Sequence, residues 1–257
     1  VNRRGKATYK ELAQSLKVST MTIRRDVDKM AEKHLVMKTL RGVQRVPEGE
    51  RGLLETALSL RLSDHVEEKR AIARKALEII RDGQTIFLDG STTCAELAGY
   101  LGRYHRGLTI ITNSLLIGQR LRRDRDSVLM MIGGRFDREN YCFVGPGAEE
   151  QIGRYFVDIS FMSTRAFMPE EGTYESAVDS FRIKQGVVAQ SRKKILLADH
   201  TKFGRRALTR VLDIHQIDMV ITDAGIADEY ITALRQKNIP VEIAPLEENS
   251  GLLEAAM

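Results

Sequence analysis

A chain of 257 residues, 42% hydrophobic and 29% charged, can hold one large domain or a large domain with a smaller one, which excludes a peptide-sized scaffold stapled by disulfides. Its two cysteines, Cys94 and Cys142, stand in unrelated contexts without CxxC spacing, which excludes a disulfide framework or a thiolate zinc site and fits a reducing compartment. Charge is uneven: residues 1–46 carry twelve Lys/Arg against four Asp/Glu, a net of +8, whereas the remaining 28 basic and 31 acidic residues net −3. A local excess of this kind attracts a polyanion. Apolar runs such as VLMMI at 128–132 fall far short of the ~20 residues that cross a bilayer, and the opening VNRRGKATYK has no apolar signal-peptide core. A cytosolic protein without a membrane role is expected.

In TYKELAQSL, apolar Tyr9, Leu12, Ala13 and Leu16 recur at helical spacing, with Thr8 and Glu11 as a capping box. After the turn KVS, a second helix is predicted with Ser19 or Thr20 as N-cap and Ile23, Val27, Met30 and Ala31 on its buried face. LVMKTLRGVQRV at 35–46 reads as a basic hairpin around Gly42, closed by Pro47. Helix, turn, helix, hairpin is the outline of a winged helix-turn-helix over residues 1–47, expected to be N-terminally incomplete because so little precedes Thr8. In such a domain the second helix enters the major groove, so Thr20, Met21, Thr22, Arg24 and Arg25 are candidate DNA contacts, with wing residues Lys38, Arg41 and Arg45 on the backbone. Double-stranded operator DNA is the expected partner.

Residues 48–66 read as a linker. Its leucines 53, 54, 58, 60 and 62 are candidates for a subunit surface in a homodimer or homotetramer, since paired half-sites call for paired reading heads. From residue 67 to 257 helical stretches alternate with short Val/Ile/Leu runs: TIFLD, LTIITN, SVLMMIGG, VDISFMS, KILLAD, DMVITDAG and VEIAP. This pattern predicts an α/β, mostly parallel, Rossmann-like sheet covered on both faces. Ligands of open α/β sheets lie at the carboxyl ends of the strands. Asp89, Thr112, Asn113, Ser114, Gly133, Gly134, Asp199, Lys202 and Asp223 all fall at predicted strand ends, and Gly90, Ser91, Thr92 and Thr93 form a polar turn into a helix, a setting for phosphate. Each such turn taken alone also reads as helix capping. Lys202 is the preferred counter-charge; Lys184 and Lys69 rank below it because lysines on helices usually face solvent.

KELAQSLKVSTMTIRRDVDKM, with VSTMTIRRD at 18–26 its most distinctive part, resembles the N-terminal domain of the DeoR family of bacterial transcriptional repressors. EKRAIA (68–73), LDGSTT (88–93), TNSL (112–115), GG (133–134), VGP (144–146), ADHTKFG (198–204) and ITDAGI (221–226) resemble that family's C-terminal sensor domain, in order. The resemblance spans nearly the whole chain. It departs from the family in a single glycine, Gly42, where the wing usually has a pair, and in Ser180, where the family tends to carry glutamate. It implies a repressor of a carbohydrate operon controlled by a phosphorylated sugar or related effector, without a cofactor, on a sensor fold similar to sugar-phosphate isomerases. The resemblance supports Lys184, Lys69 and Lys202 as pocket residues. The alternative is an isomerase- or deaminase-like enzyme with a fused DNA-binding domain. The five histidines lack metal-ligand spacing, GPGAEEQIG is not a dinucleotide fingerprint, and there is no GxSxG elbow.

Overall fold

The structure is a computed structural model that describes residues 6–32, 36–39, 42–45, 58–176 and 178–246. The chain divides into two compact units, one up to Arg61 and one from Leu62 onward. The smaller unit runs β1 (Lys6–Thr8), α1 (Tyr9–Leu16), α2 (Thr20–Glu32), β2 (Val36–Thr39) and β3 (Gly42–Arg45). The capping box is present: Thr8 Oγ1 accepts from Glu11 N at 3.2 Å and Thr8 N donates to Glu11 Oε2 at 2.7 Å. Lys17, in a left-handed conformation with φ 54°, ends α1, and Ser19 rather than Thr20 caps α2, its Oγ accepting from Thr22 N at 3.0 Å. Ala13, Ile23, Val27, Val36 and Val43 form the core. Leu16, 62% exposed, and Met30, 40% exposed, do not belong to it, contrary to the helical-spacing reading. So small a core is filled before the outer turns of both helices reach it.

In the smaller unit one strand escaped the sequence reading. β1 pairs antiparallel with β3 and completes a three-stranded sheet of order β1-β3-β2. A Cβ at Gly42 would stand 2.2 Å from the Ala7 carbonyl oxygen, so the close crossing of β1 admits only glycine there. Of the presumed linker, residues 48–57, including Leu53 and Leu54, lie outside the described residues; a short helix, α3 (Leu58–Ser63), follows, with Leu58 buried and Leu60 and Leu62 half-buried.

The larger unit holds α4 (Val66–Leu77), β4 (Thr85–Leu88), α5 (Thr92–Tyr104), β5 (Thr109–Thr112), α6 (Leu115–Leu121) and β6 (Val128–Met131). A hairpin of β7 (Arg135–Asp137) and β8 (Cys142–Val144), α7 (Pro146–Ile152), β9 (Val157–Met162), and strands β10 (Ala166–Met168) and β11 (Gly172–Glu175) come next. α8 (Val178–Gln190), β12 (Ser191–Leu197), β13 (Thr209–Asp213), β14 (Met219–Asp223), α9 (Asp228–Gln236) and β15 (Val241–Ala244) complete it. Seven strands form one parallel sheet in the order β15-β14-β12-β9-β4-β5-β6. The chain enters at β4, moves outward to β5 and β6, then returns to β9 on the other side of β4. That reversal opens a crevice between the carboxyl ends of β4 and β9.

Alternation along the strands fills both faces. Ile86, Leu88, Ile110, Phe161, Ile195 and Ile221 pack with Ile72, Leu97 and Leu101 on one side, while Phe87, Ile111 and Met162 meet Ile183 and Val187 on the other. A third cluster, around Leu196, Val220, Leu234 and Ile239, lies beneath α9. β6 departs from the doubly covered pattern, with Val128 60% and Met131 37% exposed, because it is an edge strand. The antiparallel sheet β10-β11-β13 and the β7–β8 hairpin were not anticipated, since strands of three to five residues are too short to carry a periodic signal.

Candidate functional site

The N-terminal face of α2 is open to solvent: Thr20, Met21, Thr22, Arg24 and Arg25 are all exposed, with Met21 at 69%. Because Ile23 and Val27 point into the core, these five residues occupy the helix surface left over. The Arg24 guanidinium lies 5.3 Å from the centre of the Tyr9 ring, a cation–π seat that fixes it against α1. Lys38 stands on β2, while Arg41 lies outside the described residues.

At the crevice, buried Asp89 ends β4. Its Oδ1 accepts from Ser91 N at 3.0 Å and its Oδ2 from Ser163 N at 2.9 Å, joining the loops after β4 and β9. Lys184, on α8, reaches the same place: its ammonium is 3.4 Å from Asp89 Oδ2 and donates to Glu175 and to the Ser163 carbonyl. Contrary to the expectation of a solvent-facing lysine, Lys184 is 9% exposed and Lys69 5%. Burial pulls the Lys184 ammonium down, but the Glu175 and Asp89 carboxylates more than reverse this and hold its pKa above the ordinary lysine range. Ser91 is the N-cap of α5, accepting from Cys94 N at 3.1 Å, and Thr92 and Thr93 are buried in its first turn, where main-chain amides have no helical carbonyl to meet. A Cβ on Gly90 would stand 2.1 Å from Cys142 Sγ. Burial pushes the Cys94 thiol well above its usual pKa, with Asp89 beside it adding to the shift.

One strand over, Thr112 Oγ1 donates to the Leu88 carbonyl at 2.8 Å and accepts from Ser114 N at 3.1 Å, and Ser114 caps α6. Asn113 is bound to β8 by Phe143 N donating to its carbonyl at 2.8 Å and by its own Nδ2 donating to the Phe143 carbonyl at 2.9 Å. Its Oδ1 is buried and receives no hydrogen bond. Gly133 is held by both ends of the Gln151 amide, and a Cβ on Gly134 would come 2.8 Å from the Val144 carbonyl, so this pair shapes the turn from β6 into the hairpin.

On the other side of β9, Asp199 ends β12 and caps the 3-10 turn His200–Lys202, its Oδ1 accepting from Thr201 N at 3.1 Å. Its Oδ2 is buried without a hydrogen-bond donor, 3.7 Å from the Lys202 ammonium. Burial alone would raise this carboxyl; Lys202, the Thr201 hydroxyl, His65 and Lys69 together outweigh it and bring the pKa below the ordinary value. The structure thus brings Asp89, Ser91 and Lys184 together at the crevice, Thr112, Asn113 and Ser114 beside the hairpin, and Asp199 and Lys202 in a third group with Lys69. Lys202 pairs with Asp199, and β9 stands between its strand and β4. Sequence reasoning missed Ser163, Glu175 and His65: Ser163 ends a recognised strand run and could have been found, whereas Glu175 arrives through a hairpin with no periodic signal and His65 lay in the presumed linker.

Residues 64–224 match the DeoR C terminal sensor domain and residues 1–48 the DeoR-like helix-turn-helix domain. The chain belongs to the DeoR family. The chain is 30% identical over 248 residues to the uncharacterized HTH-type transcriptional regulator YulB of Bacillus subtilis (strain 168), covering 96% of this chain and 94% of that one. It is 29% identical over 243 residues to the glycerol-3-phosphate regulon repressor of Escherichia coli (strain K12), covering 95% and 94%. Among solved structures, ribose 5 phosphate isomerase A from Neisseria gonorrhoeae aligns over 54% of this chain and 53% of its own, with 16% identity and a TM-score of 0.39. This DeoR-family chain is a transcriptional regulator with a DNA-binding unit and a sensor domain, and no helix among its described residues is long and apolar enough to cross a membrane.

Proposed function

We propose that this chain is a repressor of a carbohydrate operon. In this reading α2 reads operator DNA through Thr20, Met21, Thr22, Arg24 and Arg25, with Lys38 and Arg41 on the phosphate backbone. The observation that carries it is an exposed α2 N-terminal face within the segment of net charge +8, joined in one chain to a parallel sheet with a polar crevice at its topological switch point. The domain division follows: DNA-binding unit to residue 47, linker 48–66, sensor 67–257, acting in the cytoplasm as a homodimer or homotetramer on paired half-sites.

The effector is a phosphorylated sugar or a related metabolite. Its phosphate meets Gly90, Ser91 and the first-turn amides at Thr92 and Thr93, where the helix dipole favours an anion. Two buried acceptors that receive no hydrogen bond, Asn113 Oδ1 and Asp199 Oδ2, follow strand ends of the sheet and ask for hydroxyl donors, which a polyol supplies. Relatives named for the glycerol-3-phosphate regulon support this class. Binding rather than turnover is favoured because Asp89 and Glu175, the crevice carboxylates, are committed to main-chain amides and Lys184.

The test is to select an operator from random duplexes and measure its affinity by fluorescence anisotropy, with a thermal-shift screen against sugar phosphates alongside. A ligand at 100 times its dissociation constant stabilises by ~2.7 kcal/mol. Sequence-specific DNA binding altered by one such compound is the expected result. Specific binding that no phosphorylated compound alters, with no thermal shift, overturns the effector assignment.

A further inference from the structure

The unit boundary after Arg61 leads into a turn that is fastened to the carboxyl edge of the sheet. His65, with a left-handed backbone at φ 48°, immediately precedes α4. Its ring stands edge-on to that of His200, with centroids 5.5 Å apart and planes at 87°. Its Nδ1 lies 3.3 Å from Glu68 Oε1 and its Nε2 3.6 Å from Asp64 Oδ1, while the Lys69 ammonium donates to the Asp64 carbonyl and so closes the turn.

His200 is anchored from behind. Its main-chain N donates to Asp223 Oδ1 at 2.7 Å and its Nδ1 lies 2.8 Å from Asp223 Oδ2, an oxygen that also accepts from Gly225 N at 2.9 Å. Asp223 is fully buried. One 3-10 turn therefore carries His200, which holds the start of α4, and Lys202, which balances the undonated Asp199 oxygen.

We propose that the Asp199–Lys202 turn is the relay by which effector occupancy reaches the segment leading to the DNA-binding unit, with His65 and His200 as its positioning residues. The inference rests on the effector reading given above. A ligand that donates to Asp199 Oδ2 or draws Lys202 away from it displaces this short turn, and His200 cannot move without releasing or dragging His65. The His65 backbone occupies the left-handed region, uncommon for a residue other than glycine, and is free to leave it when that contact is lost. Equal binding to both arrangements would shift nothing, so the orphaned Asp199 oxygen supplies the differential contact that coupling requires.

Two arms test this on the full chain. In the first, His65→Ala and His65→Phe are compared with the parent for selected-operator affinity, with and without glycerol 3-phosphate, ribose 5-phosphate, glucose 6-phosphate and fructose 6-phosphate. For whichever probe raises the melting temperature, His65→Ala should keep probe and operator affinities within about threefold while the effect of the probe on operator affinity falls from about tenfold to under twofold. His65→Phe, which keeps a ring edge-on to His200, should retain most of the response. A normal response in His65→Ala overturns the relay. In the second arm, without any probe, Lys202→Ala should raise amide hydrogen exchange at residues 65–70 by more than about tenfold while leaving 195–198 unchanged. Unchanged exchange at 65–70 overturns the relay whichever probes bind, whereas failure of every probe with raised exchange refutes the sugar-phosphate reading and leaves the relay supported.

Discussion

Lys184→Met separates a lysine that ties loops together from one that waits for a ligand. The side chains of Lys184, Asp89 and Glu175 are 11%, 4% and 14% exposed, so removing the ammonium leaves two buried carboxylates facing each other without a counter-ion. Breaking a buried pair in this way costs about 3–5 kcal/mol. In a unit of this size each kcal/mol lowers the melting temperature by ~2–4 °C, so a fall of about 10 °C is expected in differential scanning calorimetry. Since the folded pKa of Lys184 lies above the ordinary 10.5, its contribution is fully present below 10.5 and is lost only as pH rises through the higher folded value. The gap between parent and variant should therefore stay constant between about pH 6 and pH 9. A variant melting within 2 °C of the parent would refute the triad as the lock between the β4 and β9 loops.

Gly90→Ala sets a methyl 2.1 Å from Cys142 Sγ and should cost ~1–3 kcal/mol, with most of the loss restored by adding Cys142→Ala; equal losses in both backgrounds would sink the contact argument. Arg24→Ala and Arg25→Ala should each weaken operator binding by ~1–3 kcal/mol if they read base edges, and only Arg24→Ala should also lower stability, through its seat over Tyr9. Glu171 is held down to about 2 by the Arg206 guanidinium and the Tyr174 hydroxyl, so its contribution is present above its ordinary 4.5 and lost as pH falls toward 2. The melting-temperature gap between the parent and Glu171→Gln should accordingly be smaller at pH 3 than at pH 6.

Periodicity made the large elements legible. Ile23 and Val27 at helical spacing located the DNA-binding helix, and continuous apolar runs located all seven parallel strands, because burial on both faces leaves little room for polar residues in the inner strands and the edge strands β6 and β15 keep apolar runs as well. Strand ends then pointed to Asp89, Asn113 and Asp199. Partners across the fold were not legible: Glu175 meets Lys184 only because the β10–β11 hairpin turns back over the sheet, and His65 meets His200 only because α4 begins at the carboxyl edge. Exposure at helix ends failed for a related reason. Leu16 and Met30 obey the period of their helices, but a core of five buried residues has no surface left to cover them.

A parallel sheet with a polar crevice is also the frame of many enzymes, and the commitments of its carboxylates are the argument for proposing binding without turnover. Isomerisation of a sugar phosphate requires a carboxylate or imidazole free to take a proton from carbon and with a pKa near the working pH. Among the described residues at the carboxyl edge, Asp89 spends both oxygens on main-chain amides and Lys184, Glu175 is bound by the same ammonium, and Asp223 is enclosed by His200 and Gly225. Asp199 keeps a buried oxygen that receives no hydrogen bond, and its pKa lies below the ordinary carboxylate value, which makes it an acceptor for a hydroxyl and a poor base. Incubating the protein at micromolar concentration with ribose 5-phosphate, glucose 6-phosphate and glucosamine 6-phosphate should therefore give no product above the uncatalysed rate by NMR, even for a compound that raises the melting temperature. Sustained turnover that disappears in Asp199→Asn would show that the edge retains a working base and would overturn the assignment of this domain to binding alone.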